Sequence, residues 1–161
     1  MYMNTKRNIG TPLIVSCIVL GVLATFMFVI PTIFKLSTNL QLGDGAFKAQ
    51  MALKSSDRDK GLLGTSGLDP DQAFLLAFPT EDKWGVWPKS TTFSIDIVWL
   101  NKDKKVIYIA KNISPGNLTS AVIKPKTPAK YIIEFPAGAV DRESIDINQV
   151  AVFKINTDEI K

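Results

Sequence analysis

The sequence predicts a mainly β domain of the α+β class: a compact, antiparallel, β-barrel-like sheet with two short helices, preceded by one transmembrane helix. Three observations carry that expectation. Six or so short apolar runs recur between Gly, Pro, Asn and Asp residues, the punctuation of an antiparallel sheet. Two stretches, "SSDRDKGLL" and "PAGAVDRESI", hold start and exit residues suited to helices of only a few turns. And "PLIVSCIVLGVLATFMFVIPTIF", residues 12–34, runs for 23 positions without a charge.

At about 1.5 Å of rise per residue, a helix of that length covers the roughly 30 Å of bilayer hydrocarbon. Lys6, Arg7 and the amino terminus precede it and only Lys35 follows closely, which favours a cytoplasmic amino terminus and an outer remainder. A cleaved signal peptide would have a shorter apolar core and small residues three apart at the cut site, and "KLSTNLQL" offers no such site. A lipid-attachment box ending at Cys17 would close the apolar region, whereas most of that region lies beyond it. The expected organisation is a cytoplasmic start (1–11), an uncleaved anchor in the lipid bilayer (12–34) and a short polar tether (35–46). A β-rich extracytoplasmic domain (47–156) and a tail (157–161) follow.

Within the domain, "FKAQMAL" (47–53) alternates Phe47, Ala49, Met51 and Leu53 against Lys48 and Gln50, the period of a half-buried strand. "SSDRDKGLL" (55–63) reads as one or two helical turns, capped by a serine, with Asp57 and Asp59 near its positive end and Gly61 at its exit. "AFLLAF" (73–78), bounded by "DPD" and "PTED", fits a buried strand. "TFSIDIVWL" (92–100) and "KVIYIAKNI" (105–113) flank "NKDK" and form the clearest hairpin. "SPGNLTSAVIKPKTP" (114–128) is a long loop, a type that is usually functional or mobile. "AKYIIEF" (129–135) is a further strand, "PAGAVDRESI" the second helix, and "NQVAVFKI" (148–155) the closing strand. Runs apolar on both faces imply strands covered on both sides.

Charge and composition remove several functions. Of the net +4, residues 1–35 supply +3, so the remaining 126 residues are close to neutral. A near-neutral domain lacks the basic footprint of a nucleic-acid binder. The chain has no histidine, and its one cysteine lies in the apolar segment. That removes Ser-His-Asp and Cys-His catalysis and zinc sites built on His or Cys. No D-x-D-x-D-G calcium loop is present. No cofactor is expected.

The chemistry gathers around "WGVWPKSTTFSIDIVWL" (84–100). Alternation puts Phe93, Ile95, Ile97 and Trp99 on one face and Thr92, Ser94, Asp96, Val98 and Leu100 on the other. An aspartate in a strand that is otherwise apolar fits poorly unless it has a purpose. It can form the wall of a site, or it can accept hydrogen bonds from a neighbouring loop. Beside it, Pro88 stiffens a turn and Lys89, Ser90 and Thr91 offer a cation and two hydroxyls. Trp84 and Trp87 can serve as a stacking platform or can cap the core. "NIS" at 112 and "NLT" at 117 match glycosylation sequons, which are common by chance.

At these residues the chain resembles the prokaryotic family known as domain of unknown function 192. The family's F-W-M-K-N-T-x-x-P-L-D is similar to "VWPKSTTFSID", which keeps Trp87, Lys89, Thr91 and Asp96 at matching spacing. Pro88, Ser90 and Ser94 replace its Met, Asn and Pro. "RDKGLLGT" keeps Arg58, Gly61, Leu62 and Gly64 of R-x-x-G-L-M-G-R, with Thr65 for the last Arg. "AFLLAF" resembles G-M-L-F-x-F, and "IEFPAG" (133–138) resembles L-E-L-P-A-G. The resemblance covers residues 47–153 or so. It implies a compact β-rich fold, often exported or membrane-attached, and no established activity.

The functional expectation is a non-catalytic, membrane-anchored outer domain that binds a small molecule, glycan or protein partner and no nucleic acid. Trp87, Lys89, Thr91 and Asp96 would line its recognition corner, with Arg58 nearby. The rival is a carboxylate-based hydrolase or transferase using Asp96 as base, Lys89 or Arg58 against an anion, and Glu134 as a facing acid.

Overall fold

The computed structural model describes residues 36–87, 91–115 and 122–161. The anchor expected at 12–34 therefore lies outside the described residues, and among those described no helix is long and apolar enough to cross a membrane. Residues 37–42, which the sequence reading placed in a tether, are strand β1 (Ser37–Leu42). Leu40 and Leu42 point into the core between outward Asn39 and Gln41. The tight Gly43–Asp44 connection, with Gly43 at φ 60°, returns the chain into β2 (Gly45–Ala52), where Phe47 and Ala49 are buried between exposed Ala46 and Lys48.

Helix α1 (Ser55–Lys60) follows, but no serine caps it: Lys54 occupies the capping position and makes no side-chain bond. Gly61, at φ 50°, ends the helix as expected, its amide bonding to the Asp57 carbonyl. Then come β3 (Gln72–Asp82), β4 (Ile95–Leu100), β5 (Val106–Ile113) and β6 (Ala129–Pro136). A short helix α2 (Ala139–Arg142) and the two-residue β7 (Val152–Phe153) complete the order before a 3-10 turn at Thr157–Glu159.

The seven strands form one sheet in the order β5-β4-β6-β3-β2-β1-β7. Two expectations are corrected here. The sheet is mixed rather than antiparallel, because β2 pairs parallel with β3, Ala49 opposite Ala73 and Ala52 opposite Leu76. A parallel pair needs a long crossover, and residues 53–71 with α1 supply it. Nor is the sheet closed into a barrel. The C-terminal segment, expected as one closing strand, divides its bonds: residues 148–151 join the start of β5 through an isolated Lys105–Val150 bridge. Only Val152 and Phe153 pair with β1. A two-residue ladder and one bridge leave the sheet open.

Its central strands are covered on both faces, as the continuous apolar runs implied. One face carries Leu40, Leu42, Phe47, Leu75, Val98, Leu100, Ile133 and Phe135, closed by Val140 and Phe153. The other carries Phe74, Leu76, Phe78, Ile95, Ile97, Trp99 and Ile132, covered by Leu62 and Val86. Each such side chain is worth about 1.5–3 kcal/mol of burial, so these two layers fix the register of β3, β6 and β4.

Candidate functional site

Asp96 lies on the first of these faces, opposite Phe135, and is 1 % exposed. Its Oδ1 accepts from the Asn112 amide at 2.7 Å and its Oδ2 from the Val140 amide at 3.0 Å. Both donors are groups the secondary structure leaves over. The β4–β5 register shifts between Ile95 and Ile97, and Asn112 sits at φ 52°, which frees its N–H from the ladder. Val140 is in the first turn of α2, where amides have no partner within the helix. The carboxylate thus ties β4 to the end of β5 and to α2, and both its oxygens are engaged by the chain itself. Lys111 and Asp141 form an ion pair between the same two elements at the surface. The Asp141 hydrogen bond raises the Lys111 pKa.

Arg58 is also engaged internally. Its guanidinium donates to the carbonyls of Leu53 (2.6 Å), Ala77 (2.9 Å) and Lys161 (2.7 Å) and lies 5.0 Å above the Phe78 ring. Burial lowers its pKa, against opposing contributions from Asp59 and Asp57. Arg58, expected near Asp96 or the Lys89 turn, makes no bond to Asp96 among the described residues. Thr91 is buried, and Lys89 lies outside the described residues.

The two tryptophans part company. Trp84 stacks on Phe78, ring centroids 4.4 Å apart and nearly parallel, and its Nε1 donates to Thr80 O at 3.0 Å. Its carbonyl accepts from Trp99 Nε1 at 2.9 Å. Trp84 is therefore a piece of the core, whereas Trp87 is 50 % exposed. Between them Val86 forms an antiparallel bridge with Ile123, both amides bonding across it at 2.9 and 3.0 Å. Val86 and Ile123 turn inward to the second core face. That register sets Trp87 opposite Val122, which is 47 % exposed. Gly85 makes the arrangement possible, because a Cβ there would collide with Val122 Cγ1. The result is an outward apolar platform of Trp87 and Val122 with exposed Lys124 beside it. Sequence reading found Trp87 but missed Gly85 and Val122. Their only signal was the pairing of two loop segments that are distant in sequence.

A second buried carboxyl, Glu134, sits on β6 opposite Ile97 and Phe74, on the face away from Asp96. It is 5 % exposed, and its Oε2 has no hydrogen-bond partner. Burial pushes its pKa up to about 8. The register puts Asp96 and Glu134 on opposite sides of the sheet, so the facing acid pair of the hydrolase reading is not formed. Among the described residues no group of three acidic, His or Cys side chains could hold a metal ion.

Comparison with known proteins places this architecture. The family model DUF192, described as "Uncharacterized ACR", matches residues 38–153, and the chain belongs to that family. No curated protein matches it. Among solved structures it is similar to one from Sinorhizobium meliloti 1021, described as a candidate transcription regulator. The TM-score is 0.65 at 23 % identity, over 73 % of this chain and 92 % of that one. A protein of unknown function from Novosphingobium aromaticivorans DSM 12444 is similar at TM-score 0.63 and 18 % identity, over 73 % and 84 % of the two chains. At such identities the likeness is one of fold.

Proposed function

We propose that this DUF192 domain is a non-catalytic binding module, held outside a membrane by residues 12–34, that takes its ligand on the Trp87–Val122 platform. The ligand class is a small molecule, glycan or protein segment that presents a flat apolar face, with Lys124 available to an acidic or hydroxyl group at its edge. The observation that carries this reading is the half-exposed Trp87 set opposite Val122 over a glycine that has no room for a side chain. A large aromatic half exposed beside a second exposed apolar group is what binding surfaces keep and folded cores do not. Its flat ring stacks on sugars and aromatic rings alike. Of the earlier candidates, Arg58 and Asp96 spend their polar groups on the chain's own backbone, Asp96 on the far side of the sheet, and so serve the scaffold rather than the contact.

The test is a thermal-shift and glycan-array screen on the full chain in detergent. Hits should weaken about tenfold or more in Trp87→Ala, the loss usual for an aromatic anchor. They should weaken also in Gly85→Val, which displaces Val122. Tyr108→Ala, at an exposed aromatic on β5, should leave them unchanged. Hits that survive both platform variants would put the ligand elsewhere.

A further inference from the structure

A groove of about 330 Å³ opens where the chain enters the domain, lined by Leu36, Met51, Leu53 and Ile155 with Lys154, Asn156 and Glu159 at its edge. We infer that this groove holds one acyl chain of a bilayer phospholipid, with the lipid phosphate at Lys154. The inference rests on the membrane-anchored reading and adds a lipid site to it.

The wall residues are aliphatic or thioether side chains, and none offers a polar group to orient a water-soluble ligand. At the rim, Asn156 and Glu159 satisfy each other: Asn156 Nδ2 donates to Glu159 Oε1 at 2.9 Å, and Asn156 Oδ1 accepts from the Asp158 amide at 3.2 Å. Lys154 is different. Its backbone amide bonds to Thr38 Oγ1, but among the described residues its ammonium enters no ion pair or hydrogen bond. Glu159 balances that charge and leaves the rim neutral overall, so an apolar trough with one uncommitted ammonium fits an amphiphile that brings a phosphate to Lys154.

Position along the chain selects which amphiphile. Leu36 forms one wall of the groove, and only Lys35 separates it from Phe34, the last residue of the uncharged 23-residue segment. Two residues span at most about 7 Å. With residues 12–34 in the bilayer, chain length alone keeps Leu36, a lining residue of the groove, at the headgroup layer, where phospholipid is the most abundant amphiphile. A basic side chain near an anionic surface strengthens binding about fivefold, and burial of the trough supplies the rest.

The experiment uses the full chain reconstituted in vesicles of phosphatidylethanolamine and phosphatidylglycerol, the latter carrying a diazirine on one acyl chain. After irradiation, flotation and digestion, adducts should appear on peptides containing Met51 or Ile155 as well as on the anchor. Lys154→Glu, a surface change that leaves the core intact, should lower groove labelling relative to anchor labelling about fivefold. Ile155→Trp, which fills the trough, should abolish it while the melting transition persists. Chain that floats with the vesicles but carries adducts only within 12–34 would overturn the lipid site and leave the anchor standing. Chain that fails to float would remove the anchor, and the lipid site with it.

Discussion

Two carboxyl groups are buried in the same sheet, one on each face, and the chain treats them in opposite ways. Asp96 receives two backbone amides and links three elements. Glu134, on the adjacent strand, is shut among Phe74, Ile97 and Ile132 with one oxygen unpartnered. Burial alone therefore says nothing about what an acid contributes. The partners decide it, because an unpaired polar group retains the full desolvation cost that a hydrogen-bonded one recovers. Asp96 holds the fold together, while Glu134 draws on the stability that the apolar layers around it supply.

The largest test of that contrast is pH. Below the ordinary Glu value of 4.5 both folded and unfolded chains hold the Glu134 proton. Between 4.5 and about 8 the unfolded chain releases it and the fold keeps it, so stability falls by about 1.4 kcal/mol per pH unit. Above about 8 the loss levels off. The total is on the order of 5 kcal/mol, a large share of the roughly 5–15 kcal/mol of a typical domain. Urea melts across that range should show the decline, and Glu134→Gln should flatten it and be the more stable protein at alkaline pH. An unchanged slope in the variant would mean that Glu134 has a partner after all.

Asp96→Ala comes next, leaving the buried Val140 amide and the partly buried Asn112 amide without acceptors at a cost of about 3 kcal/mol. Asp96→Asn keeps one acceptor oxygen and should lose about half of that, read as a shift of the urea midpoint with unchanged slope. If Asp96→Ala melts like wild type, the proposed tie among β4, β5 and α2 carries no load. The smallest effect belongs to Lys111→Ala. It breaks the ion pair with Asp141 between the same elements, but in full solvent, where such pairs contribute little. Its midpoint should not move measurably, and a clear drop would transfer the tie from the buried aspartate to the surface pair.

Much of the sheet was legible in the residues because alternation and double-sided apolar runs are local signals. They gave β2, β5 and β6 to within two residues, but stopped β3 at Phe78 where it runs on to Asp82 and began β4 at Thr92 where it starts at Ile95. What was missed depended on partners remote in sequence. β1 has only two core side chains among polar neighbours and becomes a strand because β2 folds back on it. The parallel β2–β3 pairing and the open ends are properties of the crossover and of how residues 148–153 divide their bonds. At the site, Asp96 was conspicuous as a charge in a strand, but its two donors lie 16 and 44 residues away. Trp87 was legible as an aromatic that could stack or cap the core, without its exposure; Val122 and the glycine beside it were not, since only a bridge between two loops joins them. Glu134 reads as an acid facing Asp96, and nothing local marks it as sealed on the opposite side of the sheet.

The split behaviour of residues 148–153 has a consequence for how the molecule breathes. A closed cylinder of strands has no place to begin opening, but this sheet has a seam. Along it the Lys105–Val150 bridge with three backbone bonds around it, the Lys104 ammonium on the Phe153 carbonyl and ring, and a two-residue ladder hold the first core layer shut. Parting that seam would expose Leu40, Val106 and Phe153 while the ladders among β3, β4 and β6 stayed intact. The amides along 148–153 should therefore exchange with solvent before those at the centre of the sheet.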